Sequence, residues 1–535
     1  MAAAAASGWT PARSAAGDRN PWLIAMLLSI PTFMEVLDTA IANVALAHIA
    51  GGLAASYDEA TWVVTSYLVA NAIVIPLSGW MAQVIGRKRF FIISIALFTF
   101  ASFLCGLAPS LTTLVLARIL QGIGGGCLAP NEQSMLVDSF PPEKRGQAFA
   151  LFGFVVIMGP TIGPTLGGLI TDNISWHWVF LINVPVGFLA MALVQLFVTE
   201  PKVLEDERKA RIKAGLKIDG WGVLFIALGL GFLEVTLDRG QREDWFGSRF
   251  IVVCAILAAV GLIAAVVRET TAKEPILDLK LLASRNFAIA MMVMLIMGVI
   301  LFSSTQFIPQ FLQEVIGYTA TDAGLAMTAG GAGTLIALPI AGFLANKIQP
   351  RWMMCGALIV EILALWNLTH MNTQIDFAHA AEARLLQAVG IPFLFVPLSS
   401  AAYVGLPASK TSQGTALQNV FRNLGGTFGI STVQTLLARR QQVHQSQLAE
   451  TLNPLNPNYV QSLKQGSAAL APSVGQAQSQ MAALSNLYRG LLQQAATLAY
   501  LDAFWILMVF VMICTPFVLL LKSSKAGGGA PAGAH

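Results

Sequence analysis

Glu35 and Asp38 are two carboxylic acids inside an apolar stretch that runs from Trp22 to about Ala47. As a helix, that stretch is long enough to cross the roughly 30 Å hydrocarbon core of a bilayer. Their three-residue spacing puts both carboxyls on one helix face. An ionised acid at that depth costs about 3 kcal/mol on insertion scales, so such groups face a protein interior or a watery cavity and commonly serve function. Two chemistries fit: fixed pairing with a buried arginine, or binding and release of protons. Arg118, in a later apolar run, is the natural partner, because a guanidinium keeps its proton and needs an anion or a strong acceptor. An opposite charge within about 4–6 Å favours the charged form of an acid, whereas desolvation favours the neutral form. A competition of that kind, altered by substrate or helix movement, suits a coupling site; plain charge neutralisation is the alternative. Asn43, Gln121, Glu234, Glu361 and Arg384 are further polar groups in apolar runs and candidates for lining a substrate cavity. Arg422 is a third buried-type arginine, with Glu132, Glu361, Glu234 and Asp502 as candidate counter-charges or interface residues.

The elements that must position these groups are membrane spans. Of 535 residues 56% are hydrophobic and 11% charged, where soluble proteins carry about a quarter charged. Apolar runs fall at 22–47, 60–82, 90–108, 112–136, 147–170, 178–199, 220–238, 249–267, 287–311, 324–345, 352–370, 383–406, 414–437 and 498–521. Fourteen helices, an even number, put both termini on one side. With the N-terminus inside, twenty-two Lys and Arg fall in cytoplasmic segments against seven opposite, so both termini are expected in the cytoplasm. The five cysteines all sit in apolar runs without a CxxC pair, which indicates packing rather than disulfides or zinc. Residues 1–20 lack a signal-peptide pattern and read as a cytoplasmic tail.

An internal repeat supplies the architecture. Arg118, Gln121 and Gly124 recur as Arg384, Gln387 and Gly390, an offset of 384 − 118 = 266. The same ungapped offset maps Pro141, Lys144 and Gln147 onto Pro407, Lys410 and Gln413, and Gly159 and Gly163 onto Gly425 and Gly429. Fourteen of the 46 positions from Arg118 to Gly163 are identical. The fourth span therefore corresponds to the twelfth and the fifth to the thirteenth, a parallel repeat of two six-helix halves. The expected organisation is a tail at 1–20, a first bundle at 21–200, linkers with two inserted spans at 201–286, a second bundle at 287–521 containing an outer loop at 438–497, and a tail at 522–535. The linker Glu200–Ile218 is dense in both charges and reads as solvated. In the outer loop, Met481, Leu484, Tyr488 and Leu491 follow 3-4-3 spacing, the stripe of an amphipathic helix. It is suited to packing on the membrane surface or adjacent helices, or to docking a partner protein.

Several stretches resemble a known family. Gly79-Trp-Met-Ala-Gln-Val-Ile-Gly-Arg-Lys-Arg89 is similar to the major facilitator signature between helices 2 and 3. Arg118-Ile-Leu-Gln-Gly122 resembles that superfamily's buried-arginine motif, and Gly159-Pro-Thr-Ile-Gly-Pro-Thr-Leu-Gly-Gly168 its antiporter motif. Leu37–Leu46 and Trp176–Gly187 resemble hallmarks of the fourteen-helix drug:proton antiporters, and nearly the whole chain resembles EmrB-type pumps of Gram-negative inner membranes. Gln83 stands where the superfamily pattern usually has Asp. The latch of Gly79, Gln83, Gly86, Arg87 and Lys88 then lacks its usual acid, with Asp138 an alternative receiver for Arg87 and simple positive-inside anchoring the other reading. In the antiporter motif, Gly159, Gly163 and Gly167 make a groove for close helix approach, while Pro160 and Pro164 each remove a backbone hydrogen bond. Together with Gly168, that face is expected either to slide between the halves or to serve ordinary small-residue packing. His177, between Trp176 and Trp178, fits an interfacial aromatic belt.

The resemblance implies an all-α integral membrane protein of the major facilitator fold, and a proton-coupled exporter of hydrophobic compounds rather than an enzyme. It implies proton motive force in place of a cofactor, no metal, no nucleic-acid partner, and a three-part assembly with an EmrA-type periplasmic adaptor and an outer-membrane channel. A carrier for one metabolite, lipid or siderophore, or a non-transporting sensor or scaffold, are the alternatives. No nucleophile triad, metal cluster or phosphate loop is visible in the sequence.

Overall fold

A computed structural model describes residues 20–201, 205–206, 208–209, 213, 219–272, 275–345, 347–402, 406 and 410–521. Both expected tails, Asn20 aside, and most of the charged linker lie outside these residues. The chain runs through α1 (Pro21–Gly52), α2 (Tyr57–Ile85), α3 (Arg87–Gly106), α4 (Leu111–Ser139), α5 (Pro142–Asn173) and α6 (Trp178–Phe197). Then come α7 (Gly220–Arg239), α8 (Arg249–Thr271), α9 (Arg285–Ile316), α10 (Ala320–Leu344), α11 (Pro350–Leu368) and α12 (Phe377–Ala402). It closes with α13 (Thr411–Ala449), α14 (Pro457–Val474) and α15 (Gln476–Val518). Local chemistry sets the ends. Asn20 caps α1 by accepting from Trp22 N at 3.0 Å, and Ser56 and Glu59 form a capping box before α2. Gly86 turns the chain between α2 and α3 at φ 99°, a backbone conformation that glycine adopts without steric cost.

Among the described residues, thirteen helices are long and apolar enough to cross a membrane. The expected span at 414–437 is not among them: α13 has the length but carries Gln413, Gln418, Asn419, Arg422 and Asn423. Its polar face is turned to neighbouring helices instead of to lipid. Thr415 Oγ1 lies 2.7 Å from Ser134 Oγ of α4, and Asn419 donates to Gln133 Oε1 at 2.8 Å. A span enclosed by other helices needs no apolar face of its own.

The two halves meet along related seams. A Cβ at Gly79 of α2 would lie 2.7 Å from Ser412 O and 3.0 Å from Gln413 Cα of α13. Across the molecule, a Cβ at Gly342 of α10 would lie 3.3 Å from Gln147 Cα of α5. Gln147 and Gln413 are repeat mates, so both seams use the same register. The α2–α3 end of the bundle is closed by these contacts together with the Ser134–Thr415 and Gln133–Asn419 bonds.

The antiporter-motif glycines do not slide between the halves. A Cβ at Gly159 would lie 2.6 Å from Val36 Cγ1, one at Gly163 would overlap the Ala40 methyl, and one at Gly167 would meet Ile41 Cγ2 at 3.1 Å. All three partners are on α1, in the same half. The groove thus seats the helix that carries Glu35 and Asp38. Gly168 has nothing within 4 Å, and the face of α5 turned to α10 is made by Met158, Thr161 and Thr165 against Gly331 and Gly324.

The outer loop is helical. α13 continues past its last buried residue, Leu437, to Ala449, and α14 packs against the first part of α15, with Ser467 Oγ 2.8 Å from Ser479 Oγ. The stripe does not pack inward as a unit: Leu491 is buried, but Met481, Leu484 and Tyr488 are 71%, 39% and 46% exposed. The helix instead buries Ser479 and Ala483, whose small side chains let α14 come close.

Gly163→Ala is expected to destabilise the purified protein by about 1–3 kcal/mol, the usual scale of overpacking. Gly168→Ala, in open space, should leave the melting temperature in detergent unchanged or raise it.

Candidate functional site

The α1–α5 groove delivers Asp38 to a buried arginine. Arg118 Nη1, from α4, lies 2.5 Å from Asp38 Oδ2, and both side chains are fully enclosed. Gln121, one turn on from Arg118, donates to Asp38 Oδ1 at 2.9 Å and accepts from Arg118 Nη1 at 2.7 Å. Asn183 of α6 donates to the same Oδ1 at 2.7 Å. Ser102 of α3 accepts from both amides at 3.0 Å and donates to Phe180 O. Arg118 is held further by Nε to Val63 O at 3.0 Å and by the Tyr67 ring, 4.2 Å below the guanidinium. Five polar side chains from four helices form one closed network. Protonating Asp38 would strand the guanidinium away from water, so a change of charge here must be coupled to a change in what surrounds it.

Glu35 sits differently. It is only partly buried, and it accepts from two neutral donors of α2, Tyr67 Oη at 3.0 Å and Asn71 Nδ2 at 3.3 Å. Tyr67 therefore links the acids, its ring on Arg118 and its hydroxyl on Glu35. Arg422 of α13, in the other half, is a charge within electrostatic reach of Glu35.

The repeat is visible in three dimensions. Arg384 Nη1 donates to Gln387 Oε1, and Gln387 Nε2 donates to Ser304 Oγ at 2.9 Å. Ser304 lies 304 − 38 = 266 residues after Asp38, so it occupies the aspartate's place. Asn183, Ser102, Tyr67 and Ser304 were not singled out from the sequence. Asn183 lies inside the Trp176–Gly187 stretch, and Ser304 follows from carrying the 266-residue offset into the first span.

The expected cavity set is largely not on an open surface. Gln121, Glu361 and Arg384 are enclosed in helix packing, and Glu234 is buried where Thr427 Oγ1 donates to it at 3.0 Å. Asn43 is exposed and donates to Thr39 O. Spacing alone could not distinguish a helix face turned to a cavity from one turned to a neighbour. Glu132 accepts from Ser29 at 2.6 Å. Asp502 does not balance a mid-bundle arginine but pairs with Arg440 at 2.6 Å and His444 at 2.7 Å. Among the described residues no His/Cys/Asp/Glu cluster could hold a metal, and all five cysteines are buried and free.

At the α2–α3 end, Arg87 pairs with Asp138, both buried. Asn131 donates to Arg87 O at 2.9 Å, Glu200 accepts from Arg87 N at 3.1 Å, and Lys88 Nζ donates to Gln195 O at 2.9 Å. This knot ties α3, α4 and the start of the linker, while Gln83 sits half-buried in the last turn of α2. At the opposite end His177 stacks on Trp176 at 3.7 Å, and its Nδ1 lies 2.8 Å from Ser175 Oγ.

Residues 28–430 match the family model described as Major Facilitator Superfamily. The chain belongs to that superfamily. Among curated members it is 36% identical over 514 residues to the multidrug export protein EmrB of Escherichia coli (strain K12), covering 96% of this chain and 98% of that one. It is 39% identical over 436 residues to EmrB of Haemophilus influenzae, covering 81% and 84%. The fatty acid resistance protein FarB of Neisseria gonorrhoeae is 34% identical over 506 residues, covering 95% and 97%. A crystal structure of a double-tryptophan mutant of XylE matches with a TM-score of 0.60 at 14% identity, covering 94% of this chain and 96% of that one. That likeness concerns the fold. The protein is thus a multi-pass, all-helical major facilitator transporter, not an enzyme.

Removing one partner of a buried ion pair costs about 3–5 kcal/mol. Arg118→Gln should therefore lower the melting temperature of the purified superfamily member sharply. Adding Asp38→Asn should recover part of the loss, and a double variant no more stable than Arg118→Gln alone would contradict the pairing.

Proposed function

We propose that this transporter exports hydrophobic and amphiphilic compounds, several of them rather than one, by exchanging them for protons. The observation that carries this reading is the enclosed Asp38–Arg118 pair next to the half-open Glu35. Intramembrane acids of this kind are functional by default. The export proteins named above supply the class of cargo. With both termini in the cytoplasm, the orientation that the positive-inside count favours, a proton would enter from the outer side. Glu35 is the more accessible first acceptor, and Asp38 the group whose charge is tied to helix packing. A proton on Asp38 weakens its hold on Arg118 and frees α1 and α4 to shift; substrate entering beside Glu35 favours proton release inside. One proton crossing about 150 mV supplies roughly 3.5 kcal/mol, enough for a gradient of a few hundred-fold in a neutral compound.

A periplasmic adaptor and an outer-membrane channel complete this reading. The helical projection of α13, α14 and α15, with Met481, Leu484 and Tyr488 outward, offers an apolar surface to the adaptor. A second reading, export of one lipid-like amphiphile, draws on the similarity to FarB.

Asp38→Asn should abolish proton-driven efflux of ethidium in proteoliposomes while the protein still inserts; undiminished efflux would refute the assignment. Met481→Glu with Leu484→Glu should reduce adaptor co-purification at least tenfold without lowering the amount of transporter in the membrane.

A further inference from the structure

The C-terminal half keeps the arginine–glutamine bracket but has lost its aspartate, since Ser304 stands where Asp38 would be. A buried guanidinium still needs an anion or a strong acceptor, and the acid within reach here comes from a different helix. Glu361 of α11 is wholly enclosed, and Arg384 of α12 is the charged group within its electrostatic reach. We propose that Glu361 is a second proton-binding carboxyl of the transport cycle, serving the C-terminal half as Asp38 serves the N-terminal half. This rests on the proton-driven reading of the site.

The hydrogen bonding of the two halves differs in the way this requires. Asp38 has three donors on its two oxygens, whereas Glu361 makes no ion pair as close as that of Asp38 and has the Gln387 amide and the Arg384 charge within reach. Arg384 Nε has no hydrogen-bond partner among the described residues. The pocket is tight and backbone-lined: a Cβ at Gly390 would lie 2.7 Å from Glu361 Oε1, and one at Gly330 would lie 2.8 Å from Arg384 Nε. A buried carboxylate without a close ion-pair partner is costly, whereas its protonated form is better tolerated. In the proposed cycle Glu361 carries the proton while its pair with Arg384 is unmade, and Arg384 meanwhile rests on the Gln387 amide oxygen. A shift of α11 along α12 that brings Arg384 onto the carboxyl would break the O–H bond, pass the proton to water and leave a paired carboxylate. Among the described residues, other ionisable groups near α11 are engaged elsewhere. Asp502, on the α15 face of the bundle, is held by Arg440 and His444, and α9 contributes the neutral Ser304 through Gln387. In this arrangement the ion pair of one half is formed while that of the other is open, which is what a cycle that alternates between halves calls for.

The test is infrared pH-difference spectroscopy of the full chain in lipid, paired with dye-detected proton release on adding ethidium. A protonated-carboxyl band should titrate in the unaltered protein, vanish in Glu361→Gln, shift in Glu361→Asp and persist in Asp38→Asn. Glu361→Gln should also release about one proton fewer per chain than the unaltered protein. An unchanged spectrum and yield in Glu361→Gln, or a Glu361 band that never titrates between about pH 5 and 10, would overturn the proposal and mark a permanently neutral packing acid. If Glu361→Gln fails to fold, the Glu361→Asp band shift decides. No ethidium-elicited release from the unaltered protein, with the Glu361 band still titrating, would count against proton-driven export and not against the site.

Discussion

A guanidinium that can neither lose its charge nor reach water constrains everything around it. Arg118 is enclosed between α1, α2, α4 and α6, so every lone pair and ring it touches is fixed by its need for compensation. The acid on α1 and the amide one turn along α4 are placed to meet it, and the amide at the start of α6 holds that acid in place. Four helices of one half are thereby bound through a single charged centre rather than through apolar packing alone. Apolar contacts between helices in lipid contribute little orientation, because lipid tails are as apolar as leucine. Polar contacts of this kind give the half its register.

The glycines on α5 make that centre possible. Because Gly159 and Gly163 lack side chains, the α1 backbone comes close enough to carry Asp38 to Arg118. The related glycines on α13, Gly425 and Gly429, press against Leu295 and Val299 of α9 in the same manner. The two halves share a scaffold of small residues and a bracket of arginine and glutamine. They differ in where the carboxyl is mounted: on α1 in one half, on α11 in the other.

Much of this was legible in the sequence because it is local or periodic. The spans announced themselves by length and apolarity, the repeat by an ungapped offset, and Asp38 and Arg118 by the cost of burying charge. What escaped was relational. Asn183 and Ser102 are ordinary polar residues until the fold brings them within 3.0 Å of each other and sets Asn183 2.7 Å from Asp38. Gln121 and Arg384 looked like cavity residues because spacing along one helix says nothing about which neighbour covers a face. The span at 414–437 was counted on the apolar positions it has, yet its character comes from polar ones such as Thr415 and Asn419, which meet α4. The glycine groove was read correctly as a place of close approach, but its occupant is α1, not the opposite half.

The helices α13 and α15 run without interruption from the core of the bundle into the outer projection, at 39 and 43 residues. At 1.5 Å per residue each is a rod of about 60 Å, twice the thickness of the hydrocarbon layer. Arg422 rides on one of these rods near Glu35, and Asp502 fastens the other to it through Arg440 and His444. A stiff bar tilted at its buried end must sweep its free end through a wider arc. Whatever rests on the projection would feel each turn of the carrier as displacement, with no messenger other than the bar itself.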